Sequence, residues 1–326
     1  MISIITPMYN EELVIREVLK KLLDSLKGLN EEWELIVVND GSTDNSLKIA
    51  EETAAENKNL KVVSYALNRG RGYALRAGFR NARGDIIVTT EADLSWGEDI
   101  IFRMISELKK EPEADIVIAS PHMPGGGYRN VPFYRRFLSS AGNVILRKVF
   151  TENLTMVTGM TRAYRRNVIE SLDLENNGKE IHLEIVSKAN ALGFRIIEIP
   201  AVLTWKKTEG GAKRRSSFKA RRLIFTHLLF GFSQAPLLFL GAIGLVFIVL
   251  GLAAGIYLIF AVLRTHSIAN RPLVTLMILL IISGIQILIF SFLAYQNKNT
   301  QKYIIRLQRQ ILELSKKNPK DKEKEE

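Results

Sequence analysis

Gly84-Asp85-Ile86-Ile87-Val88-Thr89-Thr90-Glu91-Ala92-Asp93 is the stretch on which the reading of the fold turns. A short apolar run opens after a glycine and leads straight into two carboxylates two positions apart. Short apolar runs of this kind are the signature of strands buried on both faces of a parallel sheet. An acidic-x-acidic triplet alone is common on protein surfaces. One that ends an apolar strand is different, because open α/β sheets bind ligands beyond the carboxyl ends of their strands. Two carboxylates there can both face a divalent ion bridging a diphosphate, and oxygen-only ligands suit Mg²⁺ or Mn²⁺.

Outward from this stretch, β-rich runs alternate with helical patterns. Strands are predicted at Ile2–Thr6, Glu34–Asn39, Leu60–Ser64, Asp85–Thr90 and Asp115–Ser120, with helices near Glu12–Leu26, Asp44–Asn57, Tyr73–Ala82 and Glu98–Lys110. Such alternation implies a mostly parallel sheet covered by helices. The N-terminus reads as the first strand and not as a signal peptide. Residues 121–205 are less regular. Pro121–Gly127 is expected to be a loop, followed by a helix near Val131–Phe150 and a strand at Met160–Tyr164. A helix near Glu180–Leu192 and strands at Arg195–Ile199 and Val202–Trp205 complete the domain.

The 326 residues contain no cysteine, which excludes disulfides, thiolate metal sites and a cysteine nucleophile. The net charge of +11 is unevenly placed: −2 over residues 1–205 and +13 over residues 206–326. Nucleic-acid binding would want basic residues and stacking aromatics on the folded domain. Here the basic excess flanks two uncharged runs, Leu237–Leu263 and Leu273–Tyr295, each long enough to cross a bilayer. Lys206, Lys207, Lys213–Arg215, Lys219, Arg221 and Arg222 precede the first run, and Lys298, Lys302, Arg306 and Arg309 follow the second. Only Arg264 and Arg271 lie in the connection, so the positive-inside rule puts both flanks and the N-terminal domain in the cytoplasm. Phe218–Phe232 mixes basic and apolar residues as an interfacial helix does. Ile304, Leu307, Ile311 and Leu314 form a stripe that suits either packing on a partner chain or on the domain, or a plain surface helix. The tail Asn318–Glu326 is charged and reads as disordered.

Polar segments follow the other strands as well. Pro7-Met8-Tyr9-Asn10-Glu11-Glu12 follows the first, and Asn39-Asp40-Gly41-Ser42-Thr43-Asp44 ends the second. Taken singly, each reads first as an ordinary turn with a helix cap, although Asp40 also stands where a base N–H or ribose hydroxyl would be bound. Asn68-Arg69-Gly70-Arg71-Gly72-Tyr73-Ala74 follows the third. Its glycines permit close backbone approach, and the helix N-terminus favours an anion. A dinucleotide fingerprint is excluded, since Leu75 stands where glycine is needed.

Together the four segments resemble the family 2 glycosyltransferases with the GT-A fold, over residues 1–120 almost continuously. The resemblance implies an α/β, GT-A (Rossmann-like) domain followed by an interfacial helix and a transmembrane hairpin. It implies a nucleotide-sugar site of Pro7, Tyr9, Asn10, Glu11, Asp40 and Gly70, with Asp93 holding Mg²⁺ or Mn²⁺ and Glu91 at the ribose or the metal. Pro132-Phe133-Tyr134-Arg135-Arg136, the Val157-Thr158-Gly159 turn, Glu198-Ile199-Pro200 and the basic stretch before a hairpin look like dolichyl- or polyprenyl-phosphate sugar synthases. The expected reaction is inverting transfer of one sugar to a lipid phosphate, since the Gln-x-x-Arg-Trp motif of processive synthases is absent. Arg135, Arg136, Lys206 and Lys207 would hold that phosphate, or Arg135 and Arg136 would serve as interfacial anchors. Glu184 is a weaker candidate, equally readable as a solvated helix charge.

The expected layout is a cytoplasmic catalytic domain over 1–205, a basic interfacial segment over 206–235, a hairpin over 236–296 and a cytoplasmic helix and tail over 297–326. The partners are a nucleotide sugar, a polyprenyl phosphate and the membrane, not nucleic acid, and the family is compatible with a homodimer or tetramer. Three positions depart from the family pattern: Glu91 for aspartate, Ser95 for glutamine, and Ser120-Pro121 for serine-arginine, with His122 as a substitute or a loop residue without a role. Two other readings stay open: a hydroxyl acceptor, which would need a general base, and an inactive nucleotide-sugar-binding scaffold.

Overall fold

A computed structural model describes residues 1–93, 95–97, 99–132, 154–205, 236–265 and 271–317. The chain divides into two compact units, Met1–Gly211 and Ala212–Glu326.

The described elements of the first unit run β1 (Ile2–Met8), α1 (Ile15–Leu26), β2 (Trp33–Asp40), α2 (Ser46–Glu56), β3 (Leu60–Tyr65), α3 (Arg71–Asn81), β4 (Ile86–Thr89), α4 (Ile100–Lys110), β5 (Ile116–Ser120), β6 (Gly127–Arg129), β7 (Arg162–Arg165), α5 (Arg166–Ser171), α6 (Ile181–Ala191), β8 (Ile196–Pro200) and β9 (Val202–Thr204). Seven strands form one sheet in the order β3-β2-β1-β4-β7-β5-β8. Every pair in it is parallel except those of β7, which runs antiparallel to β4 and β5. Ile2, Ile4, Ile5, Leu35, Ile36, Val37 and Val38 are wholly buried, as expected of central strands covered on both faces. Helix α1 buries Ile15, Val18, Leu19, Leu22, Leu23 and Leu26, the spacing that puts one apolar stripe toward the sheet.

Register then decides where the chemistry sits. Met8 pairs with Asn39, Asp40 pairs with Tyr65, and Ile5 pairs with Thr89. The carboxyl ends of β1 to β4 therefore open on the same edge of the sheet. The strand expected at Met160–Tyr164 is β7, and β6 begins at Gly127, within the stretch expected to be a loop. That three-residue strand pairs in parallel with β9 in a separate two-stranded sheet. Beyond its first two residues, the helix expected near Val131–Phe150 falls outside the described residues, as do the interfacial segment Phe218–Phe232 and the tail Asn318–Glu326.

The amino ends of the strands are pinned by a buried carboxylate. Glu34, 3% exposed, accepts the Ser3 hydroxyl at 2.7 Å, the Arg83 N–H at 2.7 Å and the Arg83 guanidinium at 3.2 Å. Ser3 Oγ in turn accepts the Gly84 N–H at 2.7 Å, which fixes the entry into β4. Burial alone would raise the Glu34 pKa, but the bonds from Ser3 and Arg83 outweigh it and hold it below the ordinary glutamate value.

The described residues of the second unit form two helices, α7 (Pro236–Thr265) and α8 (Arg271–Lys317). Phe239–Arg264 and Pro272–Asn297 are long and apolar enough to cross a membrane. They pack as a hairpin through small residues. A Cβ on Gly244 would lie 2.9 Å from the Gly284 carbonyl, and one on Gly284 would lie 2.8 Å from the Gly244 carbonyl. Gly251 is as tight against Ile281. Close backbone approach of this kind is how helices associate where lipid removes the hydrophobic drive.

Glu34→Gln keeps the side-chain shape and removes the ion. At neutral pH the variant is expected to be about 1.5–3 kcal/mol less stable, the scale for a hydrogen bond to a charged group. A depressed carboxylate stabilises fully above its unfolded pKa and stops doing so as pH falls through its folded pKa. The gap between variant and parent in denaturant titrations should therefore close in that acid range. A gap independent of pH would contradict the assignment.

Candidate active site

The segments at the carboxyl ends of β1 and β2 are tied to each other. Asn10, with φ of 52°, donates its N–H to Ser42 Oγ at 3.0 Å and accepts the Thr43 N–H at 2.8 Å. The Glu11 N–H reaches Ser46 Oγ at 2.7 Å, the Glu12 N–H reaches Asp44 Oδ2 at 3.2 Å, and Glu12 accepts the Asn45 N–H at 3.0 Å. Val14 and Asn45, the residues before α1 and α2, make no side-chain cap bond. The cap reading holds at Asp44, whose Oδ1 accepts the N–H of Ser46, the first residue of α2, at 3.0 Å, and a cross-lacing of the two loops is added to it. Pro7 lies within β1, half-buried, and Tyr9 stands 44% exposed at its end.

Asp40 closes the third loop onto the second strand. The buried carboxylate accepts the Tyr65 hydroxyl at 2.8 Å and the Arg69 N–H at 2.8 Å through Oδ1, and the Gly70 N–H at 3.0 Å through Oδ2. Burial and the bond to Asp40 push the Tyr65 phenol well up, so it stays a neutral donor. Asp40 therefore shapes the glycine loop directly.

Gly70 and Gly72 do permit a close approach, and the backbone that approaches belongs to this chain. A Cβ on Gly72 would fall 2.2 Å from the Asn176 carbonyl, and one on Gly70, at φ of 95°, 2.6 Å from the Asn177 carbonyl. The N–H groups of Gly72 and Tyr73 donate to the Asn177 carbonyl at 2.7 and 3.3 Å, so part of the α3 N-terminus is met from inside. Arg76 extends the clasp, donating to the Leu174 carbonyl at 2.8 Å and to the Asn177 side chain.

Glu184 explains why the 174–178 segment can make that approach. It is 5% exposed, which overturns its reading as a solvated helix charge. Its carboxylate accepts the Glu175 N–H at 2.9 Å, the Asn176 N–H at 3.0 Å, the Asn176 side chain at 2.9 Å and Lys188 Nζ at 2.8 Å. Burial pushes its pKa up, and these four donors more than reverse the effect. Arg162, wholly buried on β7, plays a similar part for the Val157–Gly159 turn. It donates to the Val157 carbonyl at 2.7 Å and to the His182 carbonyl at 3.1 Å. Burial and the nearby Arg162 and Arg71 charges hold the His182 imidazole neutral. Neither Arg162 nor the clasp could be anticipated from the sequence, where Arg-Ala-Tyr-Arg reads as a half-exposed strand.

The acidic pair has unequal surroundings. Glu91 Oε2 accepts the Ser95 hydroxyl at 3.0 Å, and Oε1 lies 3.8 Å from Arg71 Nη1. Asp93 is exposed; its Oδ1 accepts the Ser95 N–H at 3.0 Å, a turn that presents the rest of the carboxylate outward. The Thr204 N–H donates to the Ser95 carbonyl at 2.7 Å, which seats β9 against this loop. A continuous line of contacts thus runs from Asp40 through Gly70 and Arg71 to Glu91 and Ser95. On the far side, Glu198 accepts the Thr155 and Met156 N–H groups at 2.7 Å each, and His122 bonds the Tyr128 hydroxyl at 2.9 Å. Among the described residues no three histidine, aspartate or glutamate side chains cluster as a metal cage. An exposed aspartate at a strand end, with room for substrate oxygens, suits a Mg²⁺ or Mn²⁺ ion completed by a diphosphate. Arg135, Arg136, Lys206 and Lys207 lie outside the described residues.

A sheet of this order, with carboxylates and a clasped glycine loop at one edge, is that of a GT-A glycosyltransferase. The family model for glycosyl transferase family 2 matches residues 3–173, and the chain belongs to that family. It is 33% identical over 262 residues to an undecaprenyl-phosphate 4-deoxy-4-formamido-L-arabinose transferase of Proteus mirabilis, covering 79% of this chain and 76% of the relative. It is 30% identical to a dolichol-phosphate mannosyltransferase of Pyrococcus furiosus, covering 69% of this chain and 62% of that longer relative. Among solved structures, glucosyl-3-phosphoglycerate synthase from Mycobacterium tuberculosis, crystallised with Mn²⁺, UDP and phosphoglyceric acid, shares the fold. The TM-score is 0.54 at 21% identity, over 71% of this chain and 78% of that one.

Gly72→Ala places a methyl against backbone and is expected to cost about 1–3 kcal/mol, the usual range for overpacking, and to weaken nucleotide binding with it. Gly127→Ala, where nothing lies within 4 Å of the added Cβ, serves as the control. Thermal unfolding and UDP or GDP titration of both variants check this. Equal behaviour of the two would contradict the clasp.

Proposed function

We propose that this enzyme transfers a single sugar from a UDP- or GDP-sugar to a polyprenyl or dolichyl phosphate, with inversion, at the cytoplasmic face of a membrane. The observation that carries the reading is the state of the carboxylates around the site. Glu184 and Glu198 are each saturated by N–H donors, and Asp40 is bound by Tyr65, Arg69 and Gly70. None of these three is placed as a general base, and the remaining pair, Glu91 and Asp93, is assigned to the metal. A hydroxyl acceptor would need one, because its pKa lies far above 7. A phosphate monoester has a second pKa of about 6 and is already a nucleophilic dianion at neutral pH. The names of the relatives point the same way: both are transferases named for a polyprenyl or dolichol phosphate, although they differ in sugar.

In this reading the residues position the reactants and neutralise charge. Tyr9, Asn10, Glu11 and Asp40, with Pro7 beneath them, form the nucleoside side of the site, and Gly70 brings the loop backbone close. Asp93 holds Mg²⁺ or Mn²⁺, and Glu91, already steadied by Ser95 and Arg71, completes the acidic pair. The ion, when bound, supplies charge stabilisation to the departing nucleoside diphosphate. Arg135, Arg136, Lys206 and Lys207 are assigned to the acceptor phosphate by the resemblance, Arg135 foremost among them.

The layout follows from the acceptor, which cannot leave the bilayer. Residues 1–205 form the catalytic domain, residues 206–235 a basic segment at the head groups, residues 236–296 the hairpin, and residues 297–326 a cytoplasmic extension. The charge of +13 over residues 206–326 supports that orientation, since it flanks the hairpin on both sides and spares its connection.

Purified enzyme supplied with a panel of radiolabelled UDP- and GDP-sugars, polyprenyl phosphate and Mg²⁺ or Mn²⁺ is expected to form an acid-labile lipid product stable to mild alkali. Asp93→Ala should lower the rate by at least about a hundredfold, the scale for losing a group that stabilises developing charge, and Glu91→Gln by less. Absence of a lipid product with every donor, from protein that folds and binds nucleotide, would refute the proposal.

A further inference from the structure

Arg71 is the first residue of α3 and stands between the two halves of the site. On one side is the glycine loop held by Asp40, and on the other is the acidic pair. The backbone of the loop has little left to offer an anion. Arg69 and Gly70 give their N–H groups to Asp40, and Gly72 and Tyr73 give theirs to the Asn177 carbonyl. The charge that faces the acidic pair is the Arg71 guanidinium, 35% exposed, with Nη1 3.8 Å from Glu91 Oε1. That separation is too long for a hydrogen bond, so the contact is held by charge alone. Glu91 commits its other oxygen to the Ser95 hydroxyl at 3.0 Å, which leaves Oε1 to meet Arg71. Ion pairs as open to water as this one are weak and exchange readily.

On the nucleotide-sugar reading of this site, we propose that Arg71 and the divalent ion compete for Glu91, so that metal binding frees Arg71 for the donor's diphosphate. Without metal, the guanidinium and the carboxylate occupy each other, and neither is offered to a ligand. Once Glu91 turns to an ion held by Asp93, Arg71 loses its counter-ion at the start of α3. The diphosphate must lie there, between the nucleoside loops and the acidic pair. A guanidinium can take two phosphate oxygens at once, which suits it to that place. Its release sets a second positive charge against the departing nucleoside diphosphate. Glu91 thereby couples the two binding events, and linkage makes the coupling reciprocal.

Binding to the purified full-length protein distinguishes this exchange from a structural role, because two effects of opposite sign are expected. Without nucleotide, Arg71→Met should tighten Mn²⁺ about two- to fivefold in a spin-resonance titration, the scale of an exposed ion pair. At saturating Mn²⁺ the same variant should lose at least about tenfold in UDP or GDP affinity by calorimetry, the scale of a charge-assisted hydrogen bond. Arg71→Lys should recover part of that loss. Arg80→Met, which removes an exposed charge from the last turn of α3, should change neither affinity. In the absence of metal, Glu91→Gln should bind the nucleoside diphosphate more tightly than the parent, and adding Arg71→Met should remove the gain. Thermal unfolding of each variant shows that it is folded. Mn²⁺ affinity unchanged or weakened in Arg71→Met would overturn the proposal. So would a Glu91→Gln protein that gains no metal-free affinity, or one whose gain survives the loss of Arg71. A parent protein that binds neither nucleotide would overturn the reading of the site itself, and the exchange with it.

Discussion

The start of α3 is held from two sides by buried carboxylates, and the geometry of the site depends on that grip. Asp40 draws in the N–H groups of Arg69 and Gly70, while Glu184 folds residues 175–176 so that the Asn177 carbonyl reaches Gly72 and Tyr73. Both anions are met almost entirely by N–H and O–H donors, which is how a carboxylate is kept ionised inside a protein. The two glycines are needed because any side chain at Gly70 or Gly72 would occupy the approaching backbone. From there Arg71 reaches Glu91 and ties the glycine loop to the acidic pair.

This arrangement gives Glu91 and Asp93, two positions apart, different surroundings. The longer side chain of Glu91 spans to Ser95 and Arg71, so the departures from the family pattern at positions 91 and 95 meet each other in a single bond. Asp93, turned outward by the Ser95 N–H, keeps the exposed position. A glutamate paired with serine at these places is therefore consistent with a working site, and it weakens the case for an inactive scaffold.

Much of the fold was legible in the sequence because its signals are local. Apolar runs ending in polar turns located β1 to β5 within a residue or two, and uncharged runs located the hairpin. The strand-end positions of Asp40, Gly70, Glu91 and Asp93 were legible for the same reason. What escaped depends on partners far apart in the chain. The donors to Asp40 lie 25 to 30 residues away, and the loop that meets Gly72 lies more than a hundred residues beyond it. The strands β7 and β9 were legible, at Met160–Tyr164 and Val202–Trp205, but their pairing was not, and the three-residue β6 lies in a stretch that reads as a loop. Glu184 was readable as a solvated charge, and the burial of Glu34 and Arg162 carries no local signal either, since nothing in their neighbours announces the buried partners that accept them.

The central claim is that the acceptor brings its own nucleophile, so that the protein needs no base. Its most direct test compares polyprenyl phosphate with the free polyprenol of the same chain length, with one donor and one enzyme preparation, across pH. The account predicts turnover of the phosphate alone, with a rate that falls only as the acceptor takes up its second proton near pH 6, by the ordinary phosphate value. Transfer to the free alcohol, with a rate that climbs through the titration of a group on the enzyme, would contradict it.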